Sequence, residues 1–319
     1  MVRLATLLTC ALLAACGGAA VLPQTSSAPE LRLGFFPNVT HATALVGIKK
    51  GFFQDALGST TLKTSAFSSG ANTIEALLSG SIDATYIGPN PTVTAYARSH
   101  GLAVRVVAGA TSGGAALVVR PGATLKTLAS PGLGNTQDIA LRWWLKGQGR
   151  SDVTVLPQDN AQTLQTFKAG QIDGAWVPEP WATRLVTEAG GKVLVDERDL
   201  WPGGQFVTTQ LVVRTDYLRQ YPDTVKRLVA AQVEADTWLN ANPAGAQGAA
   251  TDYLAELTGS KVSLAVTATA WSHMTFGNDP LPATLQASAD HAVQLGLLEK
   301  VDLKNLYDLR FLTAVEAGR

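Results

Sequence analysis

One segment of this chain occurs twice, and the duplication restricts the possible folds more than any other feature. Residues 71–91 read ANTIEALLSGSIDATYIGPNP and residues 161–181 read AQTLQTFKAGQIDGAWVPEPW. Ala71, Thr73, Gly80, Ile82 and Asp83 thus return as Ala161, Thr163, Gly170, Ile172 and Asp173 without a gap. In each copy an amphipathic segment (Ile74, Leu77, Leu78; Leu164, Phe167) stops at a glycine, which can take the left-handed conformation that closes a helix. An apolar strand follows, residues 84–87 or 174–177, and runs into a turn rich in proline, Gly88-Pro89-Asn90-Pro91 or Pro178-Glu179-Pro180-Trp181. Proline stiffens such a turn and suits the first turn of a helix. In open α/β sheets the ligand lies beyond the carboxyl ends of the strands. Two copies of this unit therefore predict two similar α/β lobes whose turns face each other across a cleft; the alternative is two helix-strand units of one larger sheet.

At 319 residues the chain has room for two domains and substantial cores. Its formal net charge is zero, and no run of Lys and Arg occurs, which argues against a nucleic-acid partner. Both cysteines, Cys10 and Cys16, fall near the N-terminus, so the body of the chain can form neither a disulfide nor a thiolate metal site. His41, His100, His273 and His291 are scattered without metal-binding spacing. No metal and no cofactor is expected.

Arg3 precedes a largely apolar run, residues 4–15, shorter than the roughly 20 residues a membrane span needs. It reads as a secretory signal segment. Its end, Leu13-Ala14-Ala15-Cys16-Gly17, resembles the lipobox of bacterial lipoproteins, in which cleavage before the cysteine leaves that residue to receive lipid. Two or more acyl chains anchor a protein stably. An ordinary cleaved signal peptide is the alternative. Residues 16–30, rich in small residues, are expected to be a tether.

Beyond the tether, strand and helix patterns alternate. Residues 31–112 and 208–319 are expected to form lobe 1 and residues 113–207 lobe 2, with Thr111-Ser112-Gly113-Gly114 as the first candidate hinge. A Val- and Thr-rich strand at residues 206–213 crosses back. From Pro222 onward the pattern is helical, and these helices are expected to pack on the outside of lobe 1 without contributing chemistry.

Five turns should meet at the cleft, residues 37–41, 68–71, 88–92, 134–137 and 178–181, and none contains Lys or Arg. An anion there would be held by backbone amides, hydroxyls and side-chain amides at helix N-termini. Asn135, Thr136 and Gln137 combine capping ability with the expected cleft edge. Glu179 either faces the ligand, which favours a solute carrying an amine or an accompanying cation, or complements a helix dipole. His41 is a ligand donor or a structural histidine, and Trp181 a pocket wall or a core residue. Trp143 and Trp144 must point in different directions. No nucleophile-base set, G-x-S-x-G elbow, Walker loop or G-x-G-x-x-G occurs, so binding is favoured over catalysis.

Residues 131–138 (PGLGNTQD), 169–175 (AGQIDGA), 177–181 (VPEPW) and 212–216 (VVRTD) resemble the solute-binding proteins of bacterial ABC importers for aliphatic sulfonates, nitrate and taurine. The likeness spans about residues 31–260 in the right order. It implies a type II periplasmic-binding fold, an α/β pair of lobes joined by two crossing strands with a hinge and C-terminal helices on lobe 1. It also implies capture of a small sulfonate-like or related oxyanion solute, delivery to a membrane permease with its ATPase, and no enzymatic step. Carried over, the ligand-binding residues are Asn38, His41, Ser69, Gly70, Asn90, Asn135, Thr136, Gln137, Glu179 and Trp181, with Cys16 as the lipid attachment point. The chain is expected to be a monomer, lipid-anchored in the cell envelope on the outer face of the cytoplasmic membrane or in the periplasm. Relatives also bind bicarbonate or thiamine-pyrimidine precursors, and a precursor-binding protein or enzyme on this scaffold, or an adhesin or sensor with a degenerate lobe pair, are the competing readings. The stretch between Arg120 and Ser130 is shorter than in that family.

Overall fold

The computed structural model describes residues 27–318; the expected leader at residues 1–15, Cys16 and most of the expected tether lie outside the described residues. Two separate sheets organise the chain. The first holds β1 (Glu30–Phe35), β2 (Thr61–Ala66), β3 (Ala84–Ile87), β4 (Val104–Gly113), β10 (Val207–Arg214) and β11 (Met274–Phe276), in the order β11-β4-β10-β3-β1-β2. The second holds β5 (Ala115–Val119), β6 (Thr127–Ser130), β7 (Thr154–Pro157), β8 (Gly174–Pro178) and β9 (Lys192–Asp196), in the order β7-β6-β8-β5-β9.

The duplicated segment occupies the same place in both sheets. Its helices are α3 (Gly70–Leu78) and α6 (Asn160–Lys168), followed by β3 and β8. Each strand runs parallel to one neighbour (β1, β6) and antiparallel to the other (β10, β5). Ile74 and Leu77 of α3, like Leu164 and Phe167 of α6, are buried, worth about 2 kcal/mol each by transfer from water. Gly80 and Gly170 close the helices with φ of 76° and 71°. A β-carbon at either would lie within 2.6 Å of an arginine Nη1, that of Arg214 or of Arg120.

The repeated aspartates tie each strand to its parallel neighbour. Asp83 Oδ2 accepts from the Arg32 backbone N–H at 2.9 Å, and Asp173 Oδ2 accepts from the N–H groups of Lys126 and Thr127, both at 2.9 Å. Carboxylates satisfy these amides with charge-assisted bonds. This shared function explains why the Gly-x-Ile-Asp run is retained in both copies.

Only Gly114 separates β4 from β5, and the chain returns from β9 through two short 3-10 turns to β10. Gly113 and Gly114 both have positive φ, 78° and 75°, which a side chain would resist. The two crossings run side by side: Gly113 N–H donates to Phe206 O at 3.2 Å, and Thr208 Oγ1 donates to Gly113 O at 2.5 Å.

Around the first sheet, α1 (Ala42–Lys49), α2 (Phe52–Leu57), α8 (Thr215–Gln220), α9 (Pro222–Ala241), α10 (Pro243–Thr258) and α13 (Arg310–Ala317) cover one side. On the other lie α3 and α4 (Pro89–Arg98), joined by α12 (Pro282–Gln294). The second sheet is covered by α5 (Thr136–Gly147) on one face and by α6 and α7 (Trp181–Ala189) on the other. The expectation that the C-terminal helices lie on the first lobe holds, and two of them also reach the second lobe. Helix α12 packs against both α4 and α5, and α11 (Leu264–Trp271) packs against α7. At the first seam His291 stacks on Trp143 with ring centroids 4.2 Å apart, while Trp144 turns toward the buried Trp176.

Candidate functional site

Five helix beginnings converge between the sheets on a cavity of about 40 Å³. The turn after β1 supplies Asn38, Thr40 and His41; the start of α3 supplies Ser68; the turn after β3 supplies Gly88 and Pro91. From the second sheet come Asn135, Thr136 and Gln137 at the start of α5, Asn160 at the start of α6, and Pro178. The returning crossing strand adds Thr208 and Thr209. None of these lining residues is Lys, Arg, Asp or Glu. A site of this kind offers partial positive charge from helix N-termini and amide hydrogens, with no fixed cation.

The lobes are in contact around this cavity. A β-carbon at Gly70 would lie 2.5 Å from Asn135 Oδ1, and one at Gly88 would lie 2.5 Å from Thr136 Oγ1. Only glycine lets the helix ends approach so closely. Across the mouth, Trp181 Nε1 donates to Asn38 Oδ1 at 2.9 Å.

Among the described residues, several polar groups at the cavity have no hydrogen-bond partner. Gln137 and Thr136 are buried, yet among the described residues their side chains make no hydrogen bond. Thr209 Oγ1 and Asn160 Oδ1 are buried and unpaired. Buried polar atoms are normally bonded, so a group of unpaired ones around one small hollow marks it as the candidate site. His41 is held neutral, because burial pushes its pKa down to about 3. Its Nδ1 accepts from the Phe36 N–H at 3.3 Å, which leaves the proton on Nε2 as a donor.

The Pro131 to Asn135 turn is shaped by Asp138. This buried carboxylate accepts from Ser130 Oγ at 2.6 Å and from Gly134 N–H at 2.9 Å, and pairs with Arg142. It orders the turn that presents Asn135, whose own amide Nδ2 donates to Pro131 O at 3.1 Å.

Of the ten binding residues expected, Asn38, His41, Asn135, Thr136 and Gln137 line the cavity together. Gly70 abuts it through Asn135, and Ser69 caps α3 by accepting from Asn72 N–H at 3.3 Å. Trp181 walls an outer chamber that adjoins the cavity. Two residues face elsewhere. Asn90 turns to α12, accepting from Ser288 Oγ at 2.7 Å and donating to Ser288 O at 3.2 Å. Glu179 is buried behind the hinge, accepting from Thr183 N–H at 3.0 Å and Thr183 Oγ1 at 2.9 Å, with His273 Nδ1 at 2.6 Å. Both partners lie in the C-terminal region to which the sequence assigned no chemistry. Thr208, Thr209 and Asn160 were absent from the expected set. A bulge between Val207 and Thr209 brings the two consecutive threonines to the same cavity, and alternation along a regular strand does not reveal it.

The outer chamber has a volume of about 360 Å³ and shares Phe36, Asn38, Ser68 and Asn160 with the inner cavity. Its further walls include Phe67, Leu164, Trp181, Leu254 and Val262, and Asp159 and Arg184 stand among its polar lining. The guanidinium of Arg184 lies over the Trp181 ring at 4.7 Å and is also paired with Glu188.

Two α/β lobes joined by adjacent crossing strands thus meet over a polar hollow. The chain belongs to the NMT1-like family, whose model matches residues 24–254. It is 28% identical over 186 residues to the taurine-binding periplasmic protein of Escherichia coli (strain K12), a match covering 56% of this chain and 57% of that protein. Among solved structures it resembles the alkanesulfonate-binding protein SsuA from Xanthomonas axonopodis pv. citri bound to MOPS, with a TM-score of 0.74 and 22% identity over 89% of this chain and 99% of that one. It also resembles the periplasmic nitrate-binding protein NrtA from Synechocystis PCC 6803, with a TM-score of 0.78 and 16% identity over 91% and 89%. These structural likenesses carry the periplasmic binding protein fold.

Proposed function

We propose that the chain is the solute receptor of an ABC importer and captures an organic sulfonate or a closely related oxyanion between its lobes. The observation that carries this reading is the pairing of two unlike spaces. The inner cavity, about 40 Å³, has room for roughly three water-sized positions at ~10–15 Å³ each, enough for a sulfonate head group. Its neutral donors suit an anion that is bound and later released. The chamber beside it, about 360 Å³ and walled largely by apolar side chains, is of the size of small-molecule pockets and takes an organic tail. A bare nitrate or bicarbonate would leave that chamber unused.

No bond is made or broken in this reading; the signal is lobe closure, with the closed form docking on the permease and its ATPase. Cys16 is the proposed lipid attachment, and the receptor acts as a monomer on the outer face of the cytoplasmic membrane or in the periplasm. A second reading, a thiamine-pyrimidine precursor, is favoured by the aromatic Phe36, Phe67 and Trp181 in the chamber.

A thermal-shift and calorimetric series tests the choice. Methanesulfonate, taurine and longer n-alkanesulfonates are compared with nitrate, bicarbonate and an aminopyrimidine. A ligand at about 100 times its Kd adds about 2.7 kcal/mol of stability. Each methylene buried in the chamber adds about 0.8 kcal/mol, or about fourfold in affinity. Nitrate binding as tightly as the best sulfonate would overturn the organic-tail assignment, and no response from any oxyanion would overturn the substrate class.

A further inference from the structure

The turn after β8 carries two groups that matter to the cavity, Pro178 on its wall and Trp181 bonded to Asn38 across the mouth. Between them sits Glu179, which does not face the solute. Its backbone N–H donates to Gly114 O, in the crossing, at 2.9 Å. The residue is only 1% exposed. Two of its bonds are local, to Thr183 on the next turn of helix. The third reaches the other lobe, to His273 Nδ1 at 2.6 Å.

His273 lies in the short connection between α11 and β11, and β11 pairs with β4 at the hinge, Met274 opposite Gly113. The His273 carbonyl oxygen would be 2.7 Å from a β-carbon at Gly113. The imidazole therefore spans the joint, with one end anchored in the first sheet and the other on the turn that faces the solute. A pocket of about 270 Å³ opens beside the pair, so the contact has space in which to break.

We infer that His273 is a positioning residue: acting through Glu179, it holds the turn after β8 in its closed setting, and loss of its proton loosens that hold. The charged groups facing it from other elements are Glu179, Asp196 and Arg198. Neither α11 nor β11 carries a titratable side chain. Glu179 and Asp196 favour the protonated ring and Arg198 opposes it, but Arg198 is itself paired with Asp196, Nη2 to Oδ2 at 2.6 Å. The hydrogen bond to Glu179 raises the His273 pKa above its ordinary 6.5. The closed form thus binds the proton more tightly than a form in which the pair is parted. Its stabilisation is complete below the ordinary value and is lost as pH rises through the raised one.

This inference concerns how the lobes are held, whatever solute is bound, so its test uses no ligand. Small-angle scattering of the ligand-free full chain at about pH 6 and about pH 9, either side of the ordinary histidine range, reads the lobe separation. The wild type is expected to gain radius of gyration at the higher pH. His273→Gln and Glu179→Gln are expected to be expanded at both. His273→Lys, which keeps its charge across the range, is expected to stay compact at both. Buried Glu197 and Asp236, each raised to about 7, also titrate in this window, so the quantity that decides is the difference between wild type and variants at one pH. Equal radii for wild type and both glutamine variants at each pH would overturn the assignment. Should circular dichroism show that His273→Gln is unfolded, Glu179→Gln decides alone: a radius equal to that of the wild type at about pH 6 overturns the assignment, and a larger one supports it.

Discussion

The turns that end β3 and β8 grow from the same repeated segment and finish in opposite chemistry. Before them the copies agree: each glycine lies under an arginine, and each aspartate serves backbone amides of the parallel strand. Beyond the strands, Asn90 is held by a neutral hydroxyl on α12, whereas Glu179 is held by an imidazole beside β11. The shared part builds a sheet edge from which a helix N-terminus can point into the cleft. The divergent part decides what fastens that edge to the C-terminal region. One lobe is fastened by a contact indifferent to pH and the other by one that depends on it.

The comparison breaks first at the aspartates. Asp83→Ala leaves the Arg32 backbone N–H without its buried acceptor and parts the half-exposed Arg32 guanidinium from its carboxylate, and is expected to cost about 3 kcal/mol. Asp173, half-buried and serving two amides, should cost less, about 2 kcal/mol. Urea unfolding of each variant checks the order. An Asp173→Ala cost equal to or above that of Asp83→Ala would mean that the copies do not divide the work as described.

Gly70→Ala addresses closure. The added methyl meets Asn135 Oδ1 of the second lobe at 2.5 Å and Pro91 Cγ of its own lobe at 2.6 Å; of an overpacking of about 1–3 kcal/mol, the Asn135 share falls on the closed form alone. Affinity for the best sulfonate should drop by about 10-fold or more while urea stability of the ligand-free protein changes less. Equal losses in both would place the clash inside lobe 1 rather than between the lobes.

What could be read in the chain alone follows from distance along it. Gly80, Asp83 and their counterparts act within one supersecondary unit, so their spacing exposed them. Asn135 to Gln137 were legible because a glycine turn before a helix advertises its free amides. The orientation of Asn90 and Glu179 was not legible, since their partners lie 198 and 94 residues further on. Thr209 was hidden for a different reason: in a Val- and Thr-rich strand, a bulge decides which hydroxyl meets the cavity, and no local residue marks it.

Gln137→Ala separates the cavity from its supports. The side chain makes no hydrogen bond among the described residues, so stability should move by less than binding does, while removal of a ligand donor should weaken sulfonate binding by about 1–3 kcal/mol. Calorimetry and urea unfolding on the same variant decide it. A stability loss as large as the binding loss would make Gln137 part of the scaffold.

The smallest expected effect sharpens the comparison most. In a double-mutant cycle of Asn90→Ala and Ser288→Ala, the coupling should be about 1 kcal/mol, that of a neutral buried hydrogen bond. Because neither group titrates, the coupling should be the same at about pH 6 and about pH 9, either side of the histidine range. The corresponding cycle of Glu179→Gln and His273→Gln should give a coupling that declines over that interval, since the imidazole gives up its charge as pH rises through its raised pKa. If the Asn90 cycle moved with pH as well, the dependence would belong to the lobe seam as a whole, and the contrast between the two turns would no longer explain it.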